Sequence, residues 1–410
     1  MSTLRTAPAL LLCLCAPLFA GDTWIVDAAG APDADFATIQ AAVDAAVDGD
    51  LVLVRAGEYP SLRISNKSLV VQGEGDVLVL GDSNIFDAFA IRVEDLDAGQ
   101  SVVLRGLDGD LYGLVLEDNA GTVWVEDAEF AALESNRIYI DNCADVVLHD
   151  VVSEGATSAP TLPGQILPLT FSALAARDSN VSIYGGSYRG GDGAHSGYVP
   201  HGGTATPTPA AIAIPVNGGE VRLYGATVRG GDGFILANCT PGYAGAGVRL
   251  TSGAVLRTRG SEVAGGLFPV VPDGCTFSGQ GVAIDLASGT LEELPGAVRS
   301  VKATALATEG APVQFEYAGQ AGDATWLYVG WNPGPTVYLP QPVGTGLHLA
   351  SGVLLETGFL SASGTQTISA PAPLLGAASS LTLHTQGIFL SPEQSFFAAP
   401  TTTTILPAVP

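Results

Sequence analysis

One unit recurs six times along the middle of this chain, and that recurrence restricts what it can fold into more than any other feature. "GLVLEDNAGTVWVEDAEF" begins at Gly113, "RIYIDNCADVVLHDVVSEG" at Arg137 and "ALAARDSNVSIYGGSYRGG" at Ala173. "AIAIPVNGGEVRLYGATVRGG" follows at Ala211, "GVRLTSGAVLRTRGSEVAGG" at Gly247 and "GVAIDLASGTLEELPG" at Gly281. Each unit is an alternating apolar strand, a small or polar turn, a second alternating strand and a Gly or Ala-Gly break. Unit starts lie 24 to 38 residues apart, and the length differences fall in the loop after the break. One such unit cannot bury its apolar face alone. Stacking places each strand beside its equivalent in the next unit, about 4.8 Å away, and turns the alternating residues into one continuous core. Glycines are expected at the positive-φ corners. The predicted fold is all-β: a parallel β-helix over residues 21–296.

Composition agrees. Fifty-two glycines among 47% apolar residues suit a β-rich fold with many turns. Ahead of the repeats, Phe36, Ile39, Val43, Ala46 and Val47 recur at helical spacing, with Asp33 or Asp35 as possible caps. This predicts a short amphipathic helix over 36–47 covering the open end of the stack, where bare strand edges would invite association. From Ala297 the pattern changes to short strands separated by Gly/Pro turns. With 5 acidic and 2 basic residues across 297–410, that stretch predicts a small β-sandwich-like domain.

The N-terminus, "MSTLRTAPALLLCLCAPLFAGD", carries Arg5, an apolar run to Ala20, and then Gly21-Asp22. The run is too short for a span and fits a secretory signal over residues 1–20, so the mature protein is expected to be secreted or held at the cell surface. No later stretch is long and apolar enough to span a membrane. A formal charge of −25 with only 16 Lys+Arg excludes nucleic acid and anionic lipid surfaces as natural partners.

The stretch "TIQAAVDAAVDGDLVLVRAGEYPSLRISNKSLVVQGEG" (Thr38–Gly75) resembles the opening of right-handed β-helix proteins of the pectin-lyase-like superfamily, among them carbohydrate-active pectinesterases. The resemblance covers roughly residues 22–296 and implies that fold; many functions share the scaffold. The C-terminal stretch is similar to small β modules appended to secreted bacterial proteins.

The family's catalytic signatures do not carry over. Pectinesterases carry paired aspartates, a Gln-Asp-Thr-Leu segment and a Leu-Gly-Arg-Pro-Trp segment. Only "GEYPSLRI" (Gly57–Ile64) echoes them, at their first conserved patch. The Asn-Thr-Asp, Asp-Asp, Gly-His-Gly and Arg-Ile-Lys segments of polygalacturonases have no counterpart. "VWVEDAEF" (Val123–Phe130) echoes the Trp-Ile-Asp-His segment of pectate lyases, with Ala128 in place of the histidine. Glu126 or Asp127 there would be either Ca²⁺ ligands or solvent-facing acids of an ordinary strand with Trp124 packing.

The strongest remaining constellation is "RGGDG", written twice. Aligning Asn180–Gly193 with Glu220–Gly233 gives eight identities in fourteen positions. In adjacent coils Asp192 and Asp232 would stack about 5 Å apart, as would Arg189 and Arg229. Two carboxylates that close are low-rank candidates for catalysis or a shared Ca²⁺. The alternative is a structural Arg–Asp ladder with Gly-Gly opening each loop. The loops beyond carry Tyr198 and Tyr243, which could join the arginines in binding a glycan. Cys239 and Cys275 sit some eight or nine residues after successive Gly-Gly breaks, a spacing that predicts a disulfide and leaves Cys143 a buried, inert thiol. The expected function is a non-catalytic secreted or cell-surface β-helix protein, with extracellular polysaccharide as the candidate partner. The alternative is a polysaccharide lyase or glycoside hydrolase working in a loop-lined groove.

Overall fold

A computed structural model describes residues 21–81, 89–111, 113–132, 137–157, 170–195, 207–235, 241–267, 280–338, 346–349, 352–376, 378–392 and 394–408. The expected signal segment lies outside these residues. Two compact units emerge: Trp24–Asp48 with Val52–Val298, and a second built from Arg299 onward together with residues 21–23 and Gly49–Leu51.

The first unit consists of two long parallel sheets, one of 16 strands and one of 8. They follow from the repeat. Its first strand, such as Ile138–Asp141, pairs in parallel with Leu114–Glu117 on one side and Leu174–Arg177 on the other. These first strands form the 8-stranded sheet, which runs from Leu62–Ser65 through Ile91–Glu94 to Ile284–Leu286. The second strand, such as Asp145–His149, pairs in parallel with Thr122–Glu126 and Asn180–Tyr184. A short third strand, such as Val152–Glu154, pairs with Glu129–Ala132 and Ser187–Arg189. The second and third strands together build the larger sheet. Two units precede the six in the sequence count. "AIRVEDLDAGQSVVLRGLDGD", from Ala90, follows the same pattern.

Register puts like on like. Leu114, Ile138, Leu174, Ile214 and Val248 stack inward along the first strands, and all are buried. Each such aliphatic side chain contributes about 1.5–3 kcal/mol by leaving water. They belong to one continuous buried cluster that extends from Val26 and Ile39 to Leu256.

The corners differ from expectation. The turn from first to second strand is made mainly by acids and amides: Asn66, Asp95, Asp118, Asn142 and Asp178 all have positive φ, as do Gly218 and Ser252 at equivalent places. Asn and Asp tolerate the left-handed region because their short side chains bond locally, so they share the role expected of glycine. The Asn142 amide donates to Asp118 one coil away at 2.7 Å, linking two of these corners. The next position points inward and is satisfied by neighbouring coils. The Asn119 side chain accepts from the Leu96 N–H at 3.1 Å and donates to the Val93 carbonyl at 2.9 Å. Cys143 stacks on it, buried, and desolvation pushes its thiol up to about 11. Such a thiol is protonated and inert in the folded state.

The helix is shorter than the sequence pattern predicts. It spans Ile39–Ala45, and Thr38 rather than an aspartate caps it, accepting from the Ala41 N–H at 3.3 Å. Phe36 instead bridges to Val26 in extended backbone, and Val47 is exposed. The patch that echoes pectinesterases is structural here. Tyr59 is buried, and its hydroxyl donates to the Arg55 carbonyl at 2.8 Å.

The second strands from Ser101–Arg105 to Glu220–Tyr224 are buried on both faces. Beside inward Val123, Val125, Val146 and Leu148, the outward Val103, Trp124, Val147 and Ser182 are also inaccessible to solvent. Their near-continuous apolar runs suit two-sided burial. Glu126 is therefore not the solvent-facing acid expected. It is 1% exposed and meets the Arg105 guanidinium at 3.3 Å.

The second unit has a three-stranded antiparallel sheet (Ser300–Ala303, Pro312–Ala318, Thr365–Pro371) and a five-stranded sheet. The latter runs Leu306–Thr308, Ser395–Leu406, Leu381–Leu390, Ala324–Gly330, Gly352–Phe359. Val313, Phe315 and Tyr317 of one sheet share a buried cluster with Leu327, Leu383 and Phe389 of the other.

His384, in the strand Leu381–Leu390, is buried, and desolvation holds its imidazole down at about 3 against an ordinary 6.5. Between those values the unfolded chain binds a proton that the folded unit refuses. Stability from this group is complete above pH 6.5 and is lost as pH falls toward 3. Urea midpoints of the second unit's transition should therefore fall from pH 7 to pH 4.5 in the wild type, and fall clearly less in His384→Gln.

Candidate functional site

The third strands end where the loops begin, and the duplicated motif lies at that junction. Ser187–Arg189 pairs in parallel with Thr227–Arg229, so Arg189 stands directly over Arg229. One strand earlier, Tyr184 and Tyr224 stack with ring centroids 4.8 Å apart. The pairing matches the sequence alignment residue for residue.

Stacking like on like would set two guanidinium groups and two carboxylates against each other. The structure interleaves them. Arg189 reaches Asp192 at 2.6 Å and Asp232 of the next coil at 3.3 Å, and Glu154 of the preceding coil at 2.7 Å. Arg229 reaches Asp232 at 2.6 Å. The carboxylates also bind backbone. Asp192 Oδ1 accepts from the Asp232 N–H at 2.8 Å, and Asp232 Oδ1 accepts from the Leu267 N–H at 2.7 Å. Each aspartate thus ties its own loop base to the equivalent residue one coil on. Thr157 extends the series backwards by donating its hydroxyl to the Asp192 carbonyl.

Burial acts to raise the Asp232 pKa. The Leu267 N–H and the charges of Arg229 and Arg189 outweigh it, and the carboxyl is held below its ordinary value. A general acid for glycoside cleavage needs the opposite shift. Calcium takes six to eight oxygen ligands, whereas Asp192 Oδ1 and both Asp232 oxygens face guanidinium or amide N–H groups. Among the described residues, no three His, Cys, Asp or Glu side chains converge as a metal site. At the other acidic candidate, Asp127 meets Arg105 at 2.9 Å, beside Glu126.

The paired glycines have a separate cause. Outgoing and returning loop stems interleave through one chain of backbone hydrogen bonds. Gly191 donates to Phe171, Ala211 to Gly191, Gly231 to Ala211, Gly245 to Gly231, Gly266 to Gly245 and Gly281 to Gly266, at 2.8–3.0 Å. Side chains have no room there: a Cβ on Gly231 would lie 1.9 Å from the Gly191 carbonyl oxygen.

Tyr198, Cys239 and Cys275 lie outside the described residues. Tyr243 is described and 69% exposed, next to a two-strand hairpin of Phe234–Ile235 with Pro241–Gly242, and its carbonyl accepts from the Ala210 N–H at 2.9 Å. Sequence reading missed Glu154 as a partner of Arg189. The signal was present, since "VSEG" and "SYRG" occupy equivalent positions once the units are aligned. It also missed an open cleft of about 490 Å³ at the last coils, lined by Arg229, Val263, Ala264, Leu267 and Gln280 among others. That cleft depends on where the third column stops, which no local pattern encodes.

Gly231→Ala should lower the stability of the first unit by about 2–3 kcal/mol or more, since a rigid carbonyl must move to admit the methyl. A urea midpoint unchanged from wild type would contradict the close packing of the stems.

No protein-family model matches this chain, and no curated protein matches its sequence, so its identity is carried by the architecture and the residues described above.

Proposed function

We propose that the first unit is a right-handed parallel β-helix of the pectin-lyase-like kind, closed at its N-terminal end by the helix Ile39–Ala45, and that the second is a β-sandwich-like module. In this reading the chain is exported, and the protein works at the cell surface or in the surrounding medium. Its role is to bind extracellular polysaccharide without cleaving it. The loop-bearing edge near Arg189, Arg229 and Tyr243 is the contact surface. Exposed aromatic rings there can stack on sugars, and loops on a rigid scaffold are where binding residues concentrate.

The observation that carries the non-catalytic reading is the engagement of the best catalytic candidates in the ladder. Asp192 and Asp232 accept from arginines and backbone N–H groups, and Asp232 is biased toward its charged form. Asp232, held in its charged form with donors on both oxygens, is poorly suited to give a proton to a leaving group. The second strands from Ser101–Arg105 to Glu220–Tyr224 are buried on both faces, which favours the loops as the place for a partner.

A glycan array followed by reducing-sugar and unsaturated-product assays, each with and without Ca²⁺, tests this. Retention of at least one polysaccharide with no product in either assay is expected. Turnover that disappears in Asp192→Ala or Asp232→Ala would replace the binding role with a lyase or hydrolase. The mature protein is also expected to release a single reactive thiol, Cys143, on denaturation, because Cys239 and Cys275 are proposed to be joined. Three thiols would remove that bond.

A further inference from the structure

The Arg–carboxylate ladder stops one step short of its own logic. By register, Glu154, Arg189, Arg229 and Ala264 occupy equivalent positions on four successive third strands. Arg189 lies between acids and meets three carboxylates, from its own coil and from those on either side. Arg229 meets one, Asp232, through Nη2. On its far side Leu267 stands where Asp232 stands for Arg189, and Ala264 takes the arginine position, so the following coil offers Arg229 no acid at either place.

Among the described residues, Glu262–Ala264 is the last strand of its column, although the first and second columns each continue for one more strand, Ile284–Leu286 and Thr290–Glu293. The cleft of about 490 Å³ opens beside this last strand, with Val263 and Ala264 in its wall. Arg229 opens into it, side-chain exposure 37%. Val263, Ala264 and Leu267 give it apolar walls, and Gln280 adds a neutral amide.

We infer that this cleft binds a small organic carboxylate, whose carboxylate takes the place of the absent acid on Arg229 and whose carbon body lies against Val263, Ala264 and Leu267. A guanidinium carries five N–H donors in a planar fork that matches a carboxylate. Apolar walls favour a ligand with hydrocarbon over a bare inorganic anion. The cleft shares Arg229 with the proposed polysaccharide contact, but the titration of small carboxylates below uses no polysaccharide, so failure of one reading is distinguishable from failure of the other.

Benzoate and hexanoate serve as probes, titrated against the intact mature protein by ligand-observed NMR at fixed ionic strength. Benzamide and inorganic phosphate are the comparison ligands. Saturable binding of both carboxylates is expected, with benzamide and phosphate weaker. Arg229→Gln should weaken carboxylate binding by about tenfold or more, the size of one charge-assisted hydrogen bond. Ala264→Trp fills the cleft from an exposed position, leaves the Arg229–Asp232 pair intact, and should abolish binding. Arg249→Gln, at an exposed arginine paired with Asp285 elsewhere on the stack, should leave it unchanged. If Arg229→Gln fails to fold, Ala264→Trp decides. No saturable binding to the folded wild type, binding indifferent to Ala264→Trp, or phosphate binding as tightly as benzoate would each overturn the assignment.

Discussion

Parallel in-register stacking is the constraint on which the first unit depends. Each residue meets its equivalent from the next coil at the strand spacing, about 4.8 Å. For apolar side chains this is favourable, and it produces the inward ladders of Leu114, Ile138, Leu174, Ile214 and Val248. For charges it is hazardous, because like would stand on like. The chain meets the hazard by offsetting partners. Arg63 pairs with Glu94, Arg177 with Asp141, Arg249 with Asp285, and Arg257 with both Glu220 and Glu292, each across coils. Individually, exposed pairs of this kind contribute little to stability. Their value here is local compensation, since the native register itself sets Glu94, Glu117 and Asp141 one over another and Arg92 meets the first two.

The same constraint explains the glycines at the loop stems. Where two stems per coil must share the space that one strand occupies elsewhere, backbone approaches backbone and no Cβ fits. The Gly-Gly pairs at 190–191, 230–231 and 265–266 are thus a packing requirement, and the aspartates that follow two of them close each loop base onto the next. A motif that looks like duplicated chemistry is a duplicated joint.

Much of this was legible along the chain. The repeat, its alternation, and the one-coil offset between Asn180–Gly193 and Glu220–Gly233 are local patterns, and strand register follows them. The helix ends were less legible, because Phe36 and Val47 match a helical period while tertiary pairing draws Phe36 into extended backbone. Trp124 and Glu126 illustrate a deeper limit. Alternation marks one face of a strand as inward but cannot say that the other is covered as well.

By itself, the sequence determined the stack: which residues face the core, where the corners fall and which positions meet across coils, because a period of two within strands and a fixed unit leave few alternatives. Tertiary structure decided what the charged residues do. Whether Asp192 and Asp232 are free carboxylates or ladder rungs depends on Arg189 reaching across a coil and on the Leu267 N–H arriving from the next one. Whether Arg229 gains a second acid depends on Leu267 standing, one coil on, where Asp232 stands for Arg189. Those outcomes are set by neighbours more than thirty residues away in sequence, and only three-dimensional packing brings them within hydrogen-bonding distance.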